Sequence, residues 1–205
     1  SVRSRELESG FGYIRVAQFQ EKTGAEFRSE IEKLQQNRDS LKGLVVDLRN
    51  NPGGVLQASV EIVDSLLEEG LVVYTEGRLD NSFFEYSASP GDLTKGAPVV
   101  VLINSGSASA SEIVAGALQD HHRAVIMGTE SFGKGSVQTV VPLSKDNAIK
   151  LTTARYYTPK GRSIQAQGIV PDIIVNRAKI EDIPTRTRIT EADLQGHLNN
   201  DDGTE

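Results

Sequence analysis

From residue 12 to residue 128, short apolar runs and amphipathic stretches take turns along the chain, and that alternation leaves few folds open. Residues 12–19 (GYIRVAQF) alternate polar and apolar side chains, the period-two pattern of a half-buried strand. Thr23 and Glu26 then stand at capping-box spacing ahead of Phe27, Ile31 and Leu34, which share one helical face. Residues 43–48 (GLVVDL) are continuously apolar but for one acid, as expected of a strand covered on both faces. They run into Arg49-Asn50-Asn51-Pro52-Gly53-Gly54, a dense turn signal, and into a second helix with Leu56, Val60, Val63 and Leu67 on one side and Gly70 as its stop. Residues 71–76 and 82–87 read as strands about a polar turn. Residues 98–103 (PVVVLI) form another apolar strand, residues 104–109 a serine-rich junction, and a helix follows to about Asp120. A strand over 123–128, a glycine-punctuated loop to Gly135, and strands near 136–142 and 148–157 complete the pattern. Strand, helix, strand, helix, strand predicts an α/β fold with a layered parallel core. From about residue 176 the chain turns polar, with a short helix expected after Thr190 and a frayed end over 199–205.

Composition removes several chemistries. The 205 residues contain no cysteine, so thiol catalysis, thiolate zinc and disulfides are excluded. The formal charge is −6 with no basic block, which argues against a nucleic-acid partner. No apolar stretch reaches the roughly 20 residues that span a bilayer. Of three histidines, His121 and His122 are adjacent and so cannot share a helix face as a metal chelate; no metal site is expected.

The chemistry concentrates at two strand-to-helix junctions, residues 50–54 and 104–109. In parallel α/β folds ligands gather at the carboxyl ends of strands, where helix amino termini aim free N–H groups outward. Such groups are natural donors to a developing oxyanion, and the amide of Ala110 is one candidate. Gly53 and Gly54 allow close backbone approach; taken alone, the same residues merely turn the chain. A nucleophilic serine needs a base. His121 and His122 follow Ser109 by about twelve residues on one helix, roughly 18 Å away at 1.5 Å per residue, which excludes them. A lysine can substitute when burial beside apolar groups holds it neutral, and Lys134 in Phe132-Gly133-Lys134-Gly135 has the least surface-like setting. Two other readings of this loop fail. Residues 128–134 begin like a phosphate-binding P-loop, but Gly135 stands where Ser or Thr belongs and a strand follows. Ser131-x-x-Lys134 has the spacing of penicillin-binding enzymes but lacks the helix that unites such a pair.

The order of motifs carries further. GYIR at 12–15, DLRNNPGG at 47–54, SASASEI at 107–113, FGKGSVQ at 132–138, YYTPKGRSI at 156–164 and GIVPD at 168–172 together resemble the carboxyl-terminal processing, or tail-specific, proteases. The resemblance spans about residues 10–175. It implies Ser109 as nucleophile, Lys134 as base, Gln138 as the residue orienting the lysine, and an oxyanion hole from Ala110 N–H and a glycine, either Gly53 or Gly54. It implies a core like the Clp protease/crotonase fold with additional strands, over residues 1–176, followed by a polar tail over 177–205. It also implies no metal or organic cofactor, substrates with exposed carboxyl-terminal tails, and a place in the bacterial periplasm or cell envelope. Adaptors or self-association are compatible with it. Family members carry a PDZ domain, for which no run of short strands is evident here. The alternative expectation is a locked core that binds peptides or partner proteins without cleaving them; a nucleotide-binding protein is a distant third.

Overall fold

A computed structural model describes residues 1–36, 40–78, 83–144, 147–176 and 195. Two sheets enclose three helices. The first sheet has six strands in the order β1-β2-β3-β6-β7-β10: β1 Val2–Glu8, β2 Phe11–Val16, β3 Gly43–Asp47, β6 Val99–Ile103, β7 Ala124–Gly128 and β10 Ile173–Ile174. From β2 to β10 neighbouring strands are parallel, with Ile14 opposite Val46 and Val46 opposite Val101; β1 alone runs antiparallel. The second sheet is wholly antiparallel in the order β5-β4-β9-β8: β4 Gly70–Gly77, β5 Phe84–Ala88, β8 Ser136–Pro142 and β9 Ala148–Tyr157.

The helices α1 Thr23–Gln35, α2 Leu56–Asp64 and α3 Ala110–Asp120 sit between the sheets: α1 on β1 and β2, α2 on β4 and β5, and α3 on β4 and β7. The periodic residues point where their spacing requires. Phe27 and Ile31 of α1, Val60 and Val63 of α2, and Ile14, Val46, Val101 and Ile126 of the first sheet join one core. Each such side chain contributes roughly 1.5–3 kcal/mol when fully removed from water. The α3 helix is buried nearly all round, consistent with its apolar composition and central place. The start of α1 differs from the capping-box expectation. Thr23 is the first helical residue and its hydroxyl accepts the Gln20 N–H (2.9 Å), while Glu26 binds the chain's amino terminus (3.1 Å).

The fold expectation needs correction. A layered core of the Clp protease/crotonase kind is not what forms. The main sheet is mixed, helices cover one of its faces, and β4, β5, β8 and β9 build a separate antiparallel sheet on the far side of the helices. The alternation of strands and helices could show the parallel units but not where the four remaining strands pair. The short helix expected after Thr190 lies outside the described residues. No helix among them is long and apolar enough to cross a membrane.

Candidate active site

Parallel pairing of β3 with β6 sets their two carboxyl-terminal junctions side by side. Asn51 then ties them together: its carbonyl accepts the Ala108 N–H (3.0 Å) and the Ser111 hydroxyl (3.0 Å), and its side-chain amide donates to Val16 O (2.8 Å). Ser107 Oγ adds a bond to Leu48 O at 2.8 Å. The polar residues between the apolar strands are therefore buried and satisfied.

Gly53 faces the serine. Its φ is +93°, and a β-carbon there would lie 2.6 Å from Ala108 O and 2.8 Å from Ser109 Cβ. Only glycine fits such an approach. Ser109 itself has φ +56° and ψ −113°, a conformation costing a non-glycine residue about 1–3 kcal/mol, and it stands at the start of α3 with its side chain partly exposed. Of the two glycines, Gly53 spends its N–H on Asn51 Oδ1 at 2.9 Å. Its carbonyl accepts from Phe19 N (3.0 Å), so across the trans peptide the Gly54 N–H points away from Phe19. Among the described residues the N–H groups of Gly54 and Ala110 donate to no acceptor.

The third element is the loop after β7. A β-carbon at Gly133 would lie 3.2 Å from Gly168 N, and one at Gly135 2.4 Å from Gln165 N, so these glycines let residues 164–168 pack against the backbone flanking Lys134. Ala166 N–H to Gly133 O (2.9 Å) closes that contact. What fastens the loop to α3 is Glu112, which has no exposed surface. Its Oε1 accepts from Ser131 Oγ and Gly133 N (both 2.6 Å), its Oε2 from Ser109 N (2.7 Å) and Lys134 N (2.8 Å). The Ser131 hydroxyl, which also accepts the Ile169 N–H, is buried and fully committed. A strand and not a helix follows Lys134, so neither a P-loop nor a Ser131–Lys134 pair is built.

Ser109, Ala110, Gly53 and the Lys134 backbone thus meet in one place. The Lys134 side chain is half-buried, and among the described residues no hydrogen bond joins Ser109 Oγ to Lys134 Nζ. Gln138 is exposed and makes none to Lys134; a bulge between Val137 and Gln138 breaks the alternation counted from the lysine. A cavity of about 260 Å³ lies between the start of α2 and β8, lined by Leu56, Tyr86, Val137, Ala154 and Tyr156 among others.

Sequence reasoning missed two acids. Glu112 sits three residues past Ser109, where an acid reads as an ordinary helix-start residue. Asp47, on β3 just before the glycine turn, is 1% exposed and holds Arg49 by Nε (2.9 Å) and Nη2 (2.7 Å), Arg15 (3.1 Å) and the Tyr13 hydroxyl (2.6 Å). Burial pushes its carboxyl up, but hydrogen bonds from Arg49 and Tyr13 outweigh this and hold it down at about 2. Burial and the same Asp47 contact push the Tyr13 phenol up.

Comparison with known proteins gives a consistent picture. The model of Peptidase family S41 matches residues 10–175. A carboxy-terminal-processing protease of Bartonella bacilliformis is 49% identical over 199 residues, covering 94% of this chain and 45% of its own length. A carboxyl-terminal-processing protease of Synechocystis is 41% identical over 169 residues, covering 82% of this chain and 39% of the relative. The solved structure of a photosystem II D1 C-terminal processing protease superposes with a TM-score of 0.74 at 36% identity, over 86% of this chain and 48% of that one. The chain therefore spans less than half the length of these relatives, and its fold is that of the processing proteases, which replaces the Clp protease/crotonase assignment.

Proposed function

Because this chain belongs to peptidase family S41, we propose that it is the catalytic core of a serine endopeptidase that cleaves proteins near their carboxyl termini through a Ser109–Lys134 dyad. The observation that carries the reading is the convergence of Ser109, in a strained conformation at the start of a buried helix, with the Lys134 loop and with two N–H groups that have no acceptor among the described residues. Lys134 in its neutral form takes the Ser109 proton as the hydroxyl attacks the peptide carbonyl. The resulting oxyanion is held by the N–H groups of Ala110 and Gly54; Gly53, whose N–H is taken by Asn51, is the less suited donor. Collapse of the tetrahedral intermediate expels the amine, protonated by the lysine, and leaves an acyl-enzyme. Water activated by the same lysine releases it. Gln138 reaches the lysine in this scheme after a local adjustment of the bulge.

The cavity between the start of α2 and β8, whose lining residues Leu56 and Val137 follow Gly54 and Lys134 closely in the chain, is the proposed seat of a small or apolar substrate side chain. Substrates are proteins with exposed carboxyl-terminal tails, and the bacterial periplasm or cell envelope is the proposed setting. The test is cleavage of an unfolded protein such as casein by this chain, with Ser109→Ala and Lys134→Ala in parallel. Cleavage lost in both variants supports the dyad, and cleavage retained in either refutes it. A second reading, a locked core that holds peptides uncut, is favoured by the lack, among the described residues, of a hydrogen bond between the Ser109 and Lys134 side chains; it predicts peptide binding without turnover in the parent.

A further inference from the structure

A buried acid with four donors and, among the described residues, no charged partner is an unusual thing to find beside a nucleophile. Glu112 has no exposed surface, and all its acceptor capacity points at two segments, the start of α3 and residues 131–134. We propose that Glu112 is a positioning residue for the dyad: its Oε2 accepts the main-chain N–H of both Ser109 and Lys134 and so sets the distance between them. This rests on the reading of those two residues as nucleophile and base.

Several observations bear on it. With bonds of 2.7 and 2.8 Å to one oxygen, the two amide nitrogens lie no more than about 5.5 Å apart, within which side chains of this length can meet. Three donors of the lysine loop, Ser131 Oγ, Gly133 N and Lys134 N, end on this one side chain, although the loop belongs to no strand or helix. Each oxygen accepts twice, so a glutamine of the same shape would turn an NH2 group towards two donors. The requirement is therefore for a carboxylate and not merely for a polar residue of that length. The donor on Ser109 is the amide of the residue whose φ is positive, so the same bond helps hold the nucleophile in its strained conformation. Movement of either backbone by about 1 Å is enough to lower turnover about 100-fold.

The experiment uses this chain and its Glu112→Gln and Ser131→Ala variants, each checked for fold by circular dichroism. Three readouts are taken: casein cleavage, the rate at which a fluorophosphonate labels Ser109, and the amide resonances of Ser109 and Lys134. In Glu112→Gln, kcat and the first-order rate constant for labelling should fall about 100-fold with KM within threefold of the parent; loss of folded protein would lower the apparent kcat and the amount labelled but leave that rate constant unchanged. Labelling within threefold of the parent in folded Glu112→Gln overturns the proposal. Should that variant fail to fold, Ser131→Ala keeps the carboxylate and removes one donor; kcat should drop about threefold to tenfold at unchanged KM, and an unaltered kcat overturns the proposal. If the parent neither cleaves nor is labelled, the peptidase reading is what fails. The shared acceptor is then judged by resonances alone: Ser109 and Lys134 amides must both move in Glu112→Gln or, if that variant does not fold, in Ser131→Ala, and movement of only one overturns it.

Discussion

Replacing Asp47 by asparagine tests the electrostatics beneath the glycine turn. The carboxylate accepts from Arg49 and Tyr13 and pairs with the Arg15 guanidinium while itself nearly inaccessible, and its pKa in the folded protein is about 2 against an ordinary value near 3.8. A folded-state pKa below the unfolded one means stability that is fully present above the unfolded value and lost as pH falls through the folded one. The difference corresponds to roughly 2 kcal/mol at pH 7, declining to about half a kcal/mol by pH 2. Asp47→Asn should therefore lower the unfolding free energy by roughly 2–3 kcal/mol at neutral pH, since it also leaves two guanidinium groups without their acid. The gap between parent and variant should narrow steadily from pH 4 to pH 2. Urea unfolding of both proteins at pH 7, 4, 3 and 2, followed by circular dichroism, measures this directly. A gap that stays constant across that range would show that Asp47 acts through packing or neutral hydrogen bonds and not through its charge.

Gly53→Ala should abolish casein cleavage and lower the melting temperature, because a β-carbon would sit 2.6 Å from Ala108 O at a φ costing about 1–3 kcal/mol; a parent-like melt would count against the packing described. Lys134→Arg should be inactive although it keeps the charge, since arginine does not serve as a neutral base; parent-level cleavage by that variant would sink the dyad. Arg123→Lys should destabilise by about 1–3 kcal/mol, because one guanidinium reaches Leu66 O (2.8 Å), Ala97 O (2.9 Å), Asp92 (2.9 Å) and Thr94 (2.6 Å), a set an ammonium cannot span; chemical unfolding decides it. Casein cleavage should continue unchanged in EDTA, and a chelator-sensitive rate would contradict a metal-free mechanism.

Elements with their own hydrophobic period were legible from the chain alone. The apolar runs of β3 and β6, the buried face of α2 and the extents of α3, β8 and β9 lie where local spacing puts them, although α2 ends at Asp64 and Gly70, expected as its stop, opens β4. So were the turn at 50–54, the serine junction and the glycines around Lys134. Three kinds of information were not legible. The β1 strand, VRSRELE, is mostly exposed, and β10 is two exposed isoleucines; as sheet edges they are held by backbone bonds that leave little trace in side-chain pattern. The division into a mixed sheet and a separate antiparallel one depends on strand pairing, which local periodicity does not encode. The partners of polar groups also depend on chain crossings: Asn51 taking the Gly53 N–H and leaving that of Gly54 free, and Glu112 joining Ser109 to a loop about twenty residues onward. The sequence by itself determined the strands and helices that carry a hydrophobic period, though not the edge strands β1 and β10, and which residue types stood at their ends. Tertiary structure decided which of those ends meet, since a hydrogen bond needs its donor and acceptor within about 3 Å, and only the packed chain brings them that close.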